Sequence, residues 1–143
     1  MNLYDEKISW IAALLGTLFT WLFGAWDIAL QILITFMILD YATGLLRGYA
    51  GKNLSSDIGL KGIARKCIIL AVLIVAVLLD RLINIDNWIF RTLICYFYIA
   101  NEALSILENC SVLGLPIPSK LQDALEQLKE GNKKSKFETK EEI

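Results

Sequence analysis

Eighteen consecutive residues without a charge, Ile8–Ala25 (ISWIAALLGTLFTWLFGA), set the first constraint on this chain. A helix that crosses a bilayer needs about 20 mostly apolar residues. This block meets that need and carries Trp10, Trp21 and Trp26 near its ends, where interfacial aromatics belong. Three further apolar blocks follow. Ile28–Leu46 is interrupted by Gln31 and Asp40; Cys67–Leu79 (CIILAVLIVAVLL) is the most apolar run and needs flanking residues to reach spanning length; Trp88–Leu107 contains Arg91, Asn101 and Glu102. The expected fold class is therefore all-α, an integral membrane protein of about four transmembrane helices. The spans are placed at about residues 8–25, 28–46, 65–84 and 88–109 within a membrane domain covering 1–110.

Charge sets the orientation. The segment between the second and third blocks, taken as a loop over 47–64, is bounded by basic residues: Arg47, Lys52, Lys61, Arg65 and Lys66 stand against Asp57 alone. Short loops rich in lysine and arginine stay in the cytoplasm, so Lys52, Lys61, Arg65 and Lys66 are read as topology-setting. Four spans then leave both termini in the cytoplasm. The last part of the chain, 111–143, reads as a cytoplasmic tail. Pro116 and Pro118 end the fourth helix, Ser119 with Gln122 resembles a capping box, and Leu121, Ala124, Leu125 and Leu128 recur at helical spacing. That pattern predicts a short amphipathic helix over 119–130 with a charged, disordered end beyond it.

Composition excludes several classes of function. Of 143 residues, 56% are hydrophobic and only 20% charged, against about 25% charged in an ordinary soluble domain. A net charge of −1 points to no nucleic acid. There is no histidine, the commonest general base and metal ligand. The three cysteines are scattered, with no paired spacing for a metal or a disulfide framework. No catalytic set, cofactor motif or metal site is expected, and the chain is not expected to be an enzyme.

The informative residues are polar ones inside apolar blocks, because such groups are costly there and face protein or water. Asp40 shares a helix face with Thr43, Gly44 and Arg47. It reads either as a charge lining an aqueous path or as a simple partner of Arg47 near the inner interface. In the fourth block Glu102, Ser105 and Asn109 share a face, with Tyr98 one turn before. That stripe is the wall of a pore or a seam joining helices of one protomer. Arg91 is expected to snorkel to the outer interface. In the first block Ala12, Gly16, Thr20 and Gly24 place a small residue at every fourth position. Such a stripe lets helices approach closely, within the chain or between copies.

Three stretches, LDYATGLLRG, NLSSDIGLKGIARK and NEALSILENCSVLGLPIPSKL, occur in that order between Ile28 and Leu128. Together they resemble the phage-lysis and toxin-secretion holin family. The matching positions are Asp40, Thr43 and Gly44; Ser55, Ser56, Gly59, Gly62 and Lys66; and Glu102, Ser105, Glu108, Asn109, Gly114, Pro116 and Pro118. The resemblance implies a small membrane protein that self-associates in the bilayer and opens lesions, through which an endolysin or a large toxin passes. Two other classes fit the bare residues. One is a small proton-coupled transporter using Asp40 or Glu102 as its proton site. The other is a membrane scaffold that docks a soluble partner through its tail.

Overall fold

A hydrophobic helix without a charged face has no sheet or bundle it must join in water; in a bilayer it must satisfy its own backbone, and it does so as a helix. The computed structural model describes residues 2–83, 87–124, 126 and 127 of the chain. Among these residues there are no strands, and four helices are long and apolar enough to cross a membrane. They are α1 (Leu3–Phe23), α2 (Ile28–Ala50), α3 (Ser56–Leu82) and α4 (Ile89–Val112). The protein is thus all-α and multi-pass, as the apolar blocks predict.

Each helix starts where its sequence supplies an acceptor for the free amides of a first turn. Asp27 caps α2, its Oδ1 accepting from the Leu30 amide at 3.0 Å. Ser55 caps α3, its Oγ accepting from the Ile58 amide at 3.3 Å. The cap of α4 comes from another helix: Asp80, near the end of α3, accepts from the amides of Phe90 at 3.0 Å and Arg91 at 2.8 Å. This cap in trans holds α4 against α3 although Trp88, just before it, sits in the left-handed region at φ 48°.

The loop expected over 47–64 is mostly helix. α2 continues through Arg47 to Ala50, and α3 begins at Ser56 rather than near 65. Only 51–55 connects them, a tight link closed by the Asn53 amide on the Gly48 carbonyl at 3.0 Å. The reason is a helix contact invisible to hydropathy. Tyr41 of α2 lies on Gly62 of α3, where an added Cβ would come within 3.2 Å of the ring. Lys61, expected in the loop, therefore stands on α3 together with Arg65 and Lys66. In the tail, residues 119–124, 126 and 127 are helical, so Ser119 is inside the helix rather than capping it; the Pro118 carbonyl accepts from the Leu121 amide at 3.1 Å. The rest of the expected 119–130 helix and the end beyond it lie outside the described residues.

Packing follows from which residues meet. α4 packs chiefly on α2 and next on α3, whereas α1 touches the others only near its end. The first residues of α2 and α4 lie together, so these two helices run parallel; α3 runs antiparallel to both, with Lys66 facing the middle of each. The core is Leu30, Leu33 and Met37 of α2, Ile69 and Leu73 of α3, Cys95 of α4 and Phe23 of α1. From Leu3 to Leu18, α1 is exposed on every side. In a bilayer such a surface can meet lipid or another helix, so it is no defect of packing.

Candidate functional site

The bundle holds two polar layers, at different depths, with the apolar core between them. The deeper one is built around Lys66. Its ammonium donates to Oδ2 of Asp40 on α2 and to Oε2 of Glu102 on α4, so one cation on α3 joins three helices. Glu102 is fully buried, and Asp40 is only 8% exposed. Asn109, one face-repeat beyond Glu102, completes the layer. Its amide donates to Thr43 Oγ1 at 3.1 Å and to Asp40 Oδ1 at 3.3 Å, and its carbonyl oxygen accepts from Arg47 Nη1 at 3.3 Å. The remaining oxygen of Glu102, Oε1, is buried with no hydrogen-bond partner among the described residues.

Helical spacing explains the assembly. Asp40 lies on the buried stripe of α2 that begins with Leu30, Leu33 and Met37, so the face that builds the core also delivers the acid. Glu102 and Asn109 are seven residues apart on α4, two turns on one side. Ser105, between them, is partly buried and lines the same cleft as Asp40, Lys66, Arg47 and Asn109, a space of about 330 Å³. Glu108 and Arg65, both exposed, stand at its mouth.

This arrangement bears on three sequence expectations. Asp40 does not pair with Arg47: the same-face spacing is right, but Lys66 reaches the carboxylate from α3 and Arg47 turns to Asn109. Lys66, read from charge alone as topology-setting, is turned into the bundle and bound between α2 and α4. The stripe of Glu102, Ser105 and Asn109 faces α2 and α3 of its own protomer. Lys52, Lys61 and Arg65, grouped with Lys66 by charge alone, stay exposed at that end of the bundle.

The second layer lies about 20 Å away along α2, thirteen residues back at about 1.5 Å each. There Arg91 of α4 is 4% exposed and does not snorkel. Its guanidinium donates to Asp27 Oδ2 at 2.8 Å and Oδ1 at 3.0 Å, to the Phe23 carbonyl at 2.6 Å and to the Ala25 carbonyl at 2.8 Å. It thereby satisfies the last carbonyl of α1 and one carbonyl of the elbow between α1 and α2. The hydrogen bond from Arg91 is the main reason the Asp27 carboxyl titrates below its ordinary value. Gly24 belongs to this elbow and not to a packing stripe. It has φ +87°, and an added Cβ would fall 2.9 Å from Arg91 Nε. Ala12, Gly16 and Thr20 are exposed on α1, and nothing lies within 4 Å of a Cβ built on Gly16. The signal for this layer was available, since an arginine and two aspartates at helix ends ask for partners; which pairs with which was not.

Comparison with known proteins fits this architecture. The family model described as the bacteriophage holin family matches residues 17–130. An uncharacterised 14.9 kDa protein from the nagH 3′ region of Clostridium perfringens is 60% identical over 127 residues, covering 89% of this chain and 95% of its own. An uncharacterised protein of Clostridium acetobutylicum is 47% identical over 119 residues, covering 83% and 95%. A protein of Bacillus phage phi105, described as a probable holin, is 34% identical over 104 residues, covering 72% and 76%. No solved structure matches the chain.

Proposed function

The chain belongs to the bacteriophage holin family, and from that premise we propose that it assembles with copies of itself in a bacterial cytoplasmic membrane and permeabilises it. The lesions release a cell-wall hydrolase, or a large protein such as a toxin. The observation that carries this reading is the placement of charge. The buried ionisable groups lie on the inner faces of α2, α3 and α4, in one layer around Lys66 and another at Asp80 and Arg91, while the surface of α1 from Ile8 onward carries no charge. Such a bundle can insert as a closed unit, its charges shielded from lipid. It also carries the polar side chains that a water-filled assembly needs if helices separate. On this reading both termini and the connector 51–55 face the cytoplasm, a direction supported by the basic residues at that end of the bundle.

The test is inducible expression in a bacterium carrying a membrane-potential dye and a large cytoplasmic reporter enzyme. Abrupt depolarisation after a delay, followed by escape of the reporter, is the expected result. A potential that stays intact while the protein accumulates in the membrane overturns the proposal. The cleft that opens onto Asp40 and Lys66 favours a second reading, a proton-coupled transporter. In proteoliposomes that reading requires saturable, substrate-dependent proton movement, whereas the holin reading requires leakage of unrelated dyes.

A further inference from the structure

We propose that Asp40 and Glu102 together hold one proton at neutral pH, bound in the clasp with Lys66, so that the clasp carries no net charge. The inference stands on the buried geometry and is independent of what the protein releases.

The argument begins with a count. Two carboxyl groups converge on one ammonium. If both are ionised, the centre of the bundle carries an unmatched negative charge, which a low-dielectric surround disfavours strongly. Two acids that share a site in this way lose their protons in separate steps, and those steps belong to the pair. Among the described residues, the charged groups facing the clasp offer no second hydrogen-bonded partner. From α2, Arg47 is exposed and donates to Asn109. From α3, Arg65 is exposed and lies at the mouth of the cleft. From α4, Glu108 adds a further negative group there. From α1, none of the described contacts reaches the clasp.

The two acids are not equivalent in setting. Asp40 has its oxygens engaged, one by Lys66 and one by Asn109. Glu102 accepts from Lys66 through Oε2 alone, and Oε1 is buried without a partner. A carboxylate oxygen left in that position is costlier than a neutral carboxyl. The proton therefore resides on Glu102 Oε1, with Lys66 continuing to donate to Oε2. Its route is through the cleft, which Asp40 and Lys66 line and behind which Glu102 lies. The proton comes from water in the cleft; the pair gains one proton and no other bond changes.

Infrared spectroscopy of the full chain in detergent tests this directly, since a protonated carboxyl has a carbonyl stretch distinct from a carboxylate's. The wild type at neutral pH should show one protonated carboxyl per chain, which disappears on alkaline titration. Glu102→Gln and Asp40→Asn should each abolish it, because the remaining carboxylate is then matched one to one by Lys66. A wild type without the band at neutral pH overturns the proposal without any variant having to fold. A band that survives in either variant overturns it as well. Neither result bears on whether the membrane is permeabilised.

Discussion

At the scale of single residues, two basic side chains organise the molecule, and each is replaceable only at a loss. Lys66→Met removes the one cation between Asp40 and Glu102. Removing one partner of a buried ion pair costs about 3–5 kcal/mol, so the variant should unfold earlier in a denaturant titration in detergent, with Lys66→Arg less affected. Arg91 and Asp27 give a pH signature. Asp27 has a depressed carboxyl pKa in the folded chain, chiefly through its hydrogen bond with Arg91. The pair's contribution is thus complete above the ordinary carboxylate pKa of about 4 and is lost as pH falls through the lower folded value. Comparing thermal unfolding of wild type and Asp27→Asn should show the wild type more stable at neutral pH. That advantage should vanish in strong acid. A gap that is unchanged in acid would remove the charge from the account. Because Asp27 is partly exposed, the effect is modest.

At the scale of elements, α1 behaves differently from the other three helices. Its outer part is unpacked, and its hold on the bundle is the elbow at Gly24. Gly24→Ala would force a side chain into a positive-φ position and against Arg91, a strain of about 1–3 kcal/mol. It should lower the unfolding midpoint and expose the elbow to protease. Gly16→Leu separates stability from assembly. A Cβ there meets nothing within 4 Å, so unfolding should change by no more than about 0.5 kcal/mol. If Ala12, Gly16 and Thr20 pack against another copy, as the proposed self-assembly suggests, crosslinked ladders in detergent should shorten. An unchanged ladder would assign that face to lipid.

At the scale of the whole molecule, the bundle has one end with several exposed basic residues and another where, among the described basic residues, Arg81 alone is exposed, lying over the rings of Trp21 and Trp88. Lys52, Lys61 and Arg65 are exposed near the connector 51–55, while Arg91 at the other end is neutralised by Asp27. Unpaired basic residues resist translocation, so the connector end should face the cytoplasm. In a cysteine-free variant, a cysteine at Ser56 should resist a membrane-impermeant thiol reagent added outside, and one at Asn87 should react. The reverse pattern would invert the topology.

Four apolar blocks, the two prolines after α4 and the basic residues around 47–66 were enough to read the class of fold and to suggest an orientation, because length and hydropathy act locally along a chain. The resemblance of three short stretches was enough to point to the family whose model matches residues 17–130. Which polar groups meet was not legible. Asp40 and Arg47 are close in sequence and share a face, yet Lys66 is the partner, 26 residues away. Arg91 looks like an interfacial arginine until the α1–α2 elbow, 64 residues earlier in the chain, supplies Asp27 and two carbonyls. The boundary of α3 was hidden for the same reason: Tyr41 on Gly62 is a contact between helices. Hydropathy decides that a segment crosses. Only the rotation and depth of each helix against its neighbours, set by packing, decide which charges are neutralised inside.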